Sequence, residues 1–140
     1  MGNRRRAREC ALQLLYDLEF NVTQDGGPLH QRVANFWVTL DDSKINDEIR
    51  NFTEGLVHGV RDNDEAIDKL IQSASTNWKM ERMAVVDRNI LRIATFELRY
   101  MKDIPPKVSL NEAIEIAKRY GTGDSSAFIN GILDKISASL

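Results

Sequence analysis

At 140 residues, with 42% hydrophobic and 29% charged content, the chain has the size and balance of one globular domain. A formal net charge of −2 excludes a generally basic protein, and the lone Cys10 excludes an internal disulfide or a cysteine metal framework. No apolar run approaches the roughly 18 residues of a membrane span, so a chain of the reducing cytoplasm with no membrane partner is expected.

The first segment reads MGNRRRARECALQLLYDLEF. Ala7, Ala11, Leu14, Leu15 and Leu18 fall at i, i+4, i+7, i+8 and i+11, which predicts one buried helical face ending near Phe20. Arg4, Arg5 and Arg8 project from its N-terminal turns, and Tyr16 lies on its flank. Glu9, Gln13, Asp17 and Glu19 interrupt the stretch, so it is not an export signal. Asn21 to His30 is a polar loop with Gly26-Gly27-Pro28 as its breaker. Val33, Phe36, Trp37 and Leu40 predict a short second helix over Leu29–Leu40. Asp41 to Asp47 is a turn with capping residues. Ile45, Ile49, Phe52, Leu56, Val57 and Val60 make a third helix. Gly55 and Gly59 inside it each weaken it by about 1 kcal/mol relative to Ala, which points to close approach of another helix, with a hinge near Gly59 as the second reading. Glu65 to Ala74 continues helically.

Ser75 to Trp78 interrupts the pattern, and a division of the chain into subdomains 1–75 and 76–140 is expected there. From Met80 a helix with apolar residues on several sides predicts the central buried element. Pro105 and Pro106 stop it. Ser109-Leu-Asn-Glu112 reads as a capping box opening the next helix. Gly121 suits its C-terminal end. Asp124 or Ser125 then caps a last helix with Phe128, Ile129, Ile132, Leu133 and Ile136 inward. The expected fold is all-α, a bundle of about seven helices.

Catalytic chemistry finds little support. His30 and His58 lack metal spacing, and Cys10 has no base near it in sequence, so a buried thiol is expected. GTGDSS lacks the strand and the Gly-Lys-Ser/Thr of a phosphate loop. Asp87 and Arg88 form a charged step on an apolar helix, read as an ion pair. No cofactor, no metal and no enzyme activity are expected. Charge is uneven: Asp41 to Asp68 holds nine acids against three bases, whereas Lys79 to Leu140 holds ten bases against eight acids. Four arginines at a helix start oppose the positive end of the macrodipole, and a bound anion would reverse that sign. Arginine forks match phosphates, and a tyrosine on the same helix can stack an unpaired base. A single-stranded nucleic-acid site and merely solvated arginines both stay open on these residues.

Three stretches resemble the NusB family of bacterial transcription antitermination factors. They are RRRARECALQLLY at the start, VDRNILRIATFEL in the centre and PPKVSLNEAIEIAKRYGTGDSSAFINGILDKI at the end. The resemblance implies an all-helical fold of two small subdomains. It implies binding to the boxA element of ribosomal RNA leader transcripts together with NusE, the ribosomal small-subunit protein. That pair joins NusA, NusG and RNA polymerase to suppress premature termination. By motif position, Arg4, Arg5, Arg8 and Tyr16 match the family's RNA-contacting helix start. Asp124, Ser125 and Phe128 match a loop-to-helix segment that also meets RNA, and Arg88 matches a basic position on the central helix. Arg6 has no matched role. The NusE surface is assigned to the C-terminal subdomain and the adjoining acidic segment. Monomer and homodimer both stay open. Two other readings stay beside this one: the RNA-binding domain of a ribosomal RNA cytosine methyltransferase, and a purely protein-binding helical module.

Overall fold

A computed structural model describes residues 2–20 and 28–140. Most of the expected loop after Phe20, with its Gly26-Gly27 breaker, lies outside them. Seven α-helices occur among the described residues: α1 (Asn3–Phe20), α2 (Leu29–Leu40), α3 (Asp47–Asp62), α4 (Asp64–Ala74), α5 (Val85–Tyr100), α6 (Pro106–Tyr120) and α7 (Ser125–Ser139). A single 3-10 turn covers Met80–Arg82, and the described residues contain no strand. The all-α expectation therefore holds.

The chain divides into two compact units, Met1–Val57 and His58–Leu140. The division expected near Ser75 falls inside the second unit. The physical reason is that α4 packs on both α5 and α7, so the helix before Ser75 belongs to the C-terminal core.

In the first unit, the stripe read from the sequence is buried. Ala7, Cys10, Ala11, Leu14, Leu15 and Leu18 of α1 lie inward, with Phe36 and Trp37 of α2 and Leu56 of α3 also buried. Two polar contacts fix the details. The Thr53 hydroxyl lies within hydrogen-bonding distance of the Ala7 carbonyl (3.1 Å) and of Ile49's own-helix carbonyl (2.8 Å), tying α3 to α1. The Trp37 indole N–H donates to Glu54 Oε2 at 2.8 Å. The expected turn is a capping structure. Asp41 adopts a left-handed φ of 45° at the end of α2, a conformation a short polar side chain tolerates. Asn46 Oδ1 accepts the Ile49 N–H at 2.8 Å and so caps α3.

In the second unit, α5 packs on α4, α6 and α7, which makes it the central helix. Ile90, Leu91, Ile93, Ala94 and Leu98 are buried along it. Gly59 admits the Phe96 ring, because a Cβ there would overlap it. Gly55 has no such neighbour, so close approach explains one of the two glycines.

The capping box is corrected. α6 begins at Pro106, three residues earlier than Ser109, because proline at the first helical position gives up only an N–H that has no helical partner. Ser109 is thereby inside the helix, and its hydroxyl donates to the buried Glu97 Oε1 at 2.8 Å.

Candidate nucleic-acid interface

The first turn of α1 carries no acidic residue to complement the helix dipole. The fold supplies an aromatic ring instead. The Arg4 and Arg8 guanidinium carbons lie 4.7 and 5.3 Å from the centroid of the Phe52 ring on α3. A cation–π contact at an exposed site, as for Arg4, contributes about 0.5–1 kcal/mol. The placement follows from helical geometry, since Arg4 and Arg8 are one turn apart on the same face. Thr53, beside Phe52, sets the register of the two helices.

The four arginines separate by environment. Arg4 is exposed and Arg5 half-buried. Arg8 is only 3% exposed. The outward projection expected of Arg8 is corrected: its side chain is buried, with the guanidinium against the Phe52 ring. Arg6, which has no motif role, bridges Asp42 at 3.2 Å and lies 3.8 Å from Glu9. The Asp42 carboxyl is held below the usual carboxylate range. The Lys44 backbone N–H is the main cause; desolvation opposes it, and the Arg6 guanidinium adds to it.

Farther along α1, Tyr16 and Phe20 form an aromatic pair with centroids 4.7 Å apart and planes tilted by 49°. Both rings are open to solvent, at 40% and 57% exposure. Tyr16 lies about 18 Å along the helix from Arg4 and about a third of a turn around it. A cavity of about 390 Å³ opens between α1 and α2, lined in part by Asp17, Leu18, Arg32 and Phe36. Desolvation raises the Asp17 carboxyl there, and Arg32 opposes the shift. None of the expected RNA-contacting residues lines this cavity.

In the second unit, Arg88 is half-buried and donates to the Met83 carbonyl at 3.2 Å and to the Met80 carbonyl at 3.4 Å. Its guanidinium thus supports the turn before α5. Asp87 is buried, and its Oδ1 has no hydrogen-bond partner. Asp124 stands exposed at the start of α7 without a side-chain capping bond. Ser125 is 1% exposed. Its Oγ accepts the Thr122 N–H at 2.9 Å, so this side chain braces the α6–α7 turn from inside. Gly121 is required there, because a Cβ would overlap Ser125 and the Ala117 carbonyl. Phe128 is half-buried.

Sequence reasoning missed Phe52 and Phe20. Phe20 was legible, since an aromatic four residues beyond Tyr16 must share its face. Phe52 had no local signal, because its partners stand more than forty residues away.

No group of three or more His, Cys, Asp or Glu residues able to hold a metal ion occurs among the described residues. None of their helices is long and apolar enough to cross a membrane. Cys10 is buried, and burial pushes its thiol above the usual value, in line with a structural rather than a nucleophilic cysteine.

Comparison with known proteins gives one consistent answer. The sequence profile of the NusB family matches residues 5–138. The chain is 51% identical to the transcription antitermination protein NusB of Desulforapulum autotrophicum, over 97% of this chain and 92% of that protein. It is 43% identical to the NusB of Myxococcus xanthus, over 100% and 98% of the two chains. The solved structure of NusB from T. maritima matches with a TM-score of 0.83 at 38% identity, covering 96% of this chain and 90% of that one. A chain from a crystal structure of antitermination factors NusB and NusE in complex with dsRNA shares the fold, with a TM-score of 0.84 at 23% identity over 100% and 99% of the chains. The arginine-led α1, the central α5 and the α6–α7 pair are thus the three-dimensional form of the three sequence motifs, and the chain belongs to the NusB family.

Proposed function

We propose that this protein is a transcription antitermination factor of the cytoplasm that binds boxA RNA of ribosomal RNA leader transcripts together with NusE. It acts with NusA, NusG and RNA polymerase, as a binding protein and not an enzyme. The observation that carries the reading is the seating of Arg4 and Arg8 over Phe52 at the start of α1, with Arg4 exposed. Arg4 and Arg5 meet phosphates, and Arg8 acts from beneath by filling the face on which Arg4 rests. Tyr16, paired with Phe20, offers a surface for an unpaired base. In the second unit, the exposed Asp124 and the half-buried Phe128 are the side chains that meet RNA in this reading. Arg88 and Ser125 hold the turns that carry their neighbours.

Fluorescence anisotropy with a labelled boxA RNA and a scrambled control, with and without NusE, tests this. Sequence-dependent binding that strengthens with NusE is expected. Replacing Arg4 and Arg5 together by Ala should flatten the salt dependence by about 1.4 in log–log slope, at about 0.7 per lost single-strand phosphate contact. Helix content should be unchanged. Equal affinity for boxA and scramble at moderate salt would refute the reading.

A further inference from the structure

The segment between α4 and the 3-10 turn presents a tryptophan to water. Trp78 is 59% exposed, yet the backbone beneath it is firmly held. Gln72 Nε2 donates to the Ser75 carbonyl at 3.1 Å and to the Trp78 carbonyl at 2.9 Å, while its Oε1 accepts the Met80 N–H at 3.1 Å. The buried Ser75 donates its hydroxyl to the same Trp78 carbonyl at 3.1 Å. The Trp78 N–H returns to the Ser75 carbonyl at 3.3 Å. Arg88 steadies the far side through Met80 and Met83. The loop therefore holds an aromatic outward on a fixed base, with little ordering left for a ligand to bring about.

The surroundings decide between ligand classes. A protein-docking patch would gather several apolar side chains at its centre. Here Trp78 is the only large exposed apolar residue between Ser75 and Ala84. Lys79, the next residue, and Arg82, at the end of the 3-10 turn that follows, are exposed, opposed by Glu81. One aromatic face with flanking cations matches a single-stranded nucleic acid, in which bases stack and neighbouring phosphates meet positive charge.

We infer that Trp78 is a stacking platform for an unpaired RNA base, with Lys79 and Arg82 meeting the adjacent phosphates. This is an RNA contact of the second unit additional to the motif residues, and it rests on the RNA-binding function proposed above.

The test uses the intact protein with two probes: labelled boxA RNA and an unstructured oligouridine. Trp78→Ala should weaken binding to boxA RNA by about 5- to 150-fold, the span of base–aromatic stacking. Trp78→Phe should retain most of the affinity. Lys79→Gln with Arg82→Gln should lower the salt slope by about 1.4. Either RNA should quench the exposed indole's emission, and Trp78→Phe should abolish that quenching, leaving the buried Trp37 signal. The inference is overturned if both Trp78 variants bind RNA like the wild type, or if quenching survives Trp78→Phe. It is also overturned if Trp78→Ala loses NusE while keeping RNA, which would make the site a protein contact. Failure of the wild type to prefer boxA over scramble would instead strike the functional reading. Oligouridine quenching would then still decide the platform, because stacking tolerates any base.

Discussion

In the first unit Arg4 and Arg8 rest over the ring of Phe52. In the second, Arg92 directs Nε and Nη2 to the two carboxylate oxygens of Asp68, at 2.9 and 3.2 Å, and Nη1 to Asn89 Oδ1 at 3.1 Å. The same residue type thus does two jobs. A ring seat is not a counter-ion, so the exposed Arg4 keeps a charge that is effective toward an anion. A bidentate carboxylate neutralises the charge and joins α4 to α5. The difference teaches that an arginine's partner, more than its presence, decides whether a surface attracts phosphate.

The comparison breaks most visibly at Arg92. Arg92→Ala should lower stability by about 2 kcal/mol, since it strips a charged, bidentate contact from a half-buried Asp68. Thermal unfolding should show this, while RNA affinity at low temperature stays unchanged. A loss of RNA affinity without a loss of stability would put Arg92 on the binding side of the divide.

A second contrast uses the two glycines of α3, one in each unit. Gly59→Ala drives a methyl into the Phe96 ring and should cost about 1–3 kcal/mol. Gly55→Ala enters open space and should stabilise by about 0.4–1 kcal/mol through reduced chain entropy. Denaturant midpoints of the two variants should move in opposite directions.

Phe52→Leu sharpens the ring-seat argument. It keeps an apolar residue in place but removes the π face, so about 1 kcal/mol of cation–π attraction is lost. RNA binding should weaken by less than tenfold, and Phe52→Trp should restore it. Unchanged affinity in Phe52→Leu would make the seat incidental.

The smallest effect concerns Arg6 and Asp42, an ion pair of the first unit. The Asp42 carboxyl is lowered in the folded protein, so its stabilising contribution is full above the ordinary carboxylate pKa. That contribution fades as pH falls through the lower folded value. Urea midpoints of wild type and Asp42→Asn should differ slightly at neutral pH and converge in acid.

Most of the helical layout was legible because it rests on local periodicity. The apolar spacing of Val33, Phe36, Trp37 and Leu40 marked α2 at the bounds the structure has, and the all-round apolar character of α5 marked it as central. What was not legible depends on partners far away in sequence. Arg6 meets Asp42 thirty-six residues on, and the Thr53 hydroxyl reaches Ala7 forty-six residues back. Ser109 looked like a cap because its local pattern is that of one. Its hydroxyl is instead taken by Glu97 on a neighbouring helix, and Pro106 had already started α6. Arg8 and Ser125 were read from motif position, which carries no information about burial. Within the candidate site, therefore, the residue types were legible and their division into surface and support was not.

Cys10 has a practical consequence. It is the chain's single thiol, fully buried in the first unit, and burial raises its pKa. A thiol reagent can modify it only when that unit opens, and no event confined to the second unit exposes a sulfhydryl. The time course of modification is thus a clock for one half of the molecule. Run with and without RNA, it reads how much a ligand closes the half that carries the arginine-led α1, with no label added.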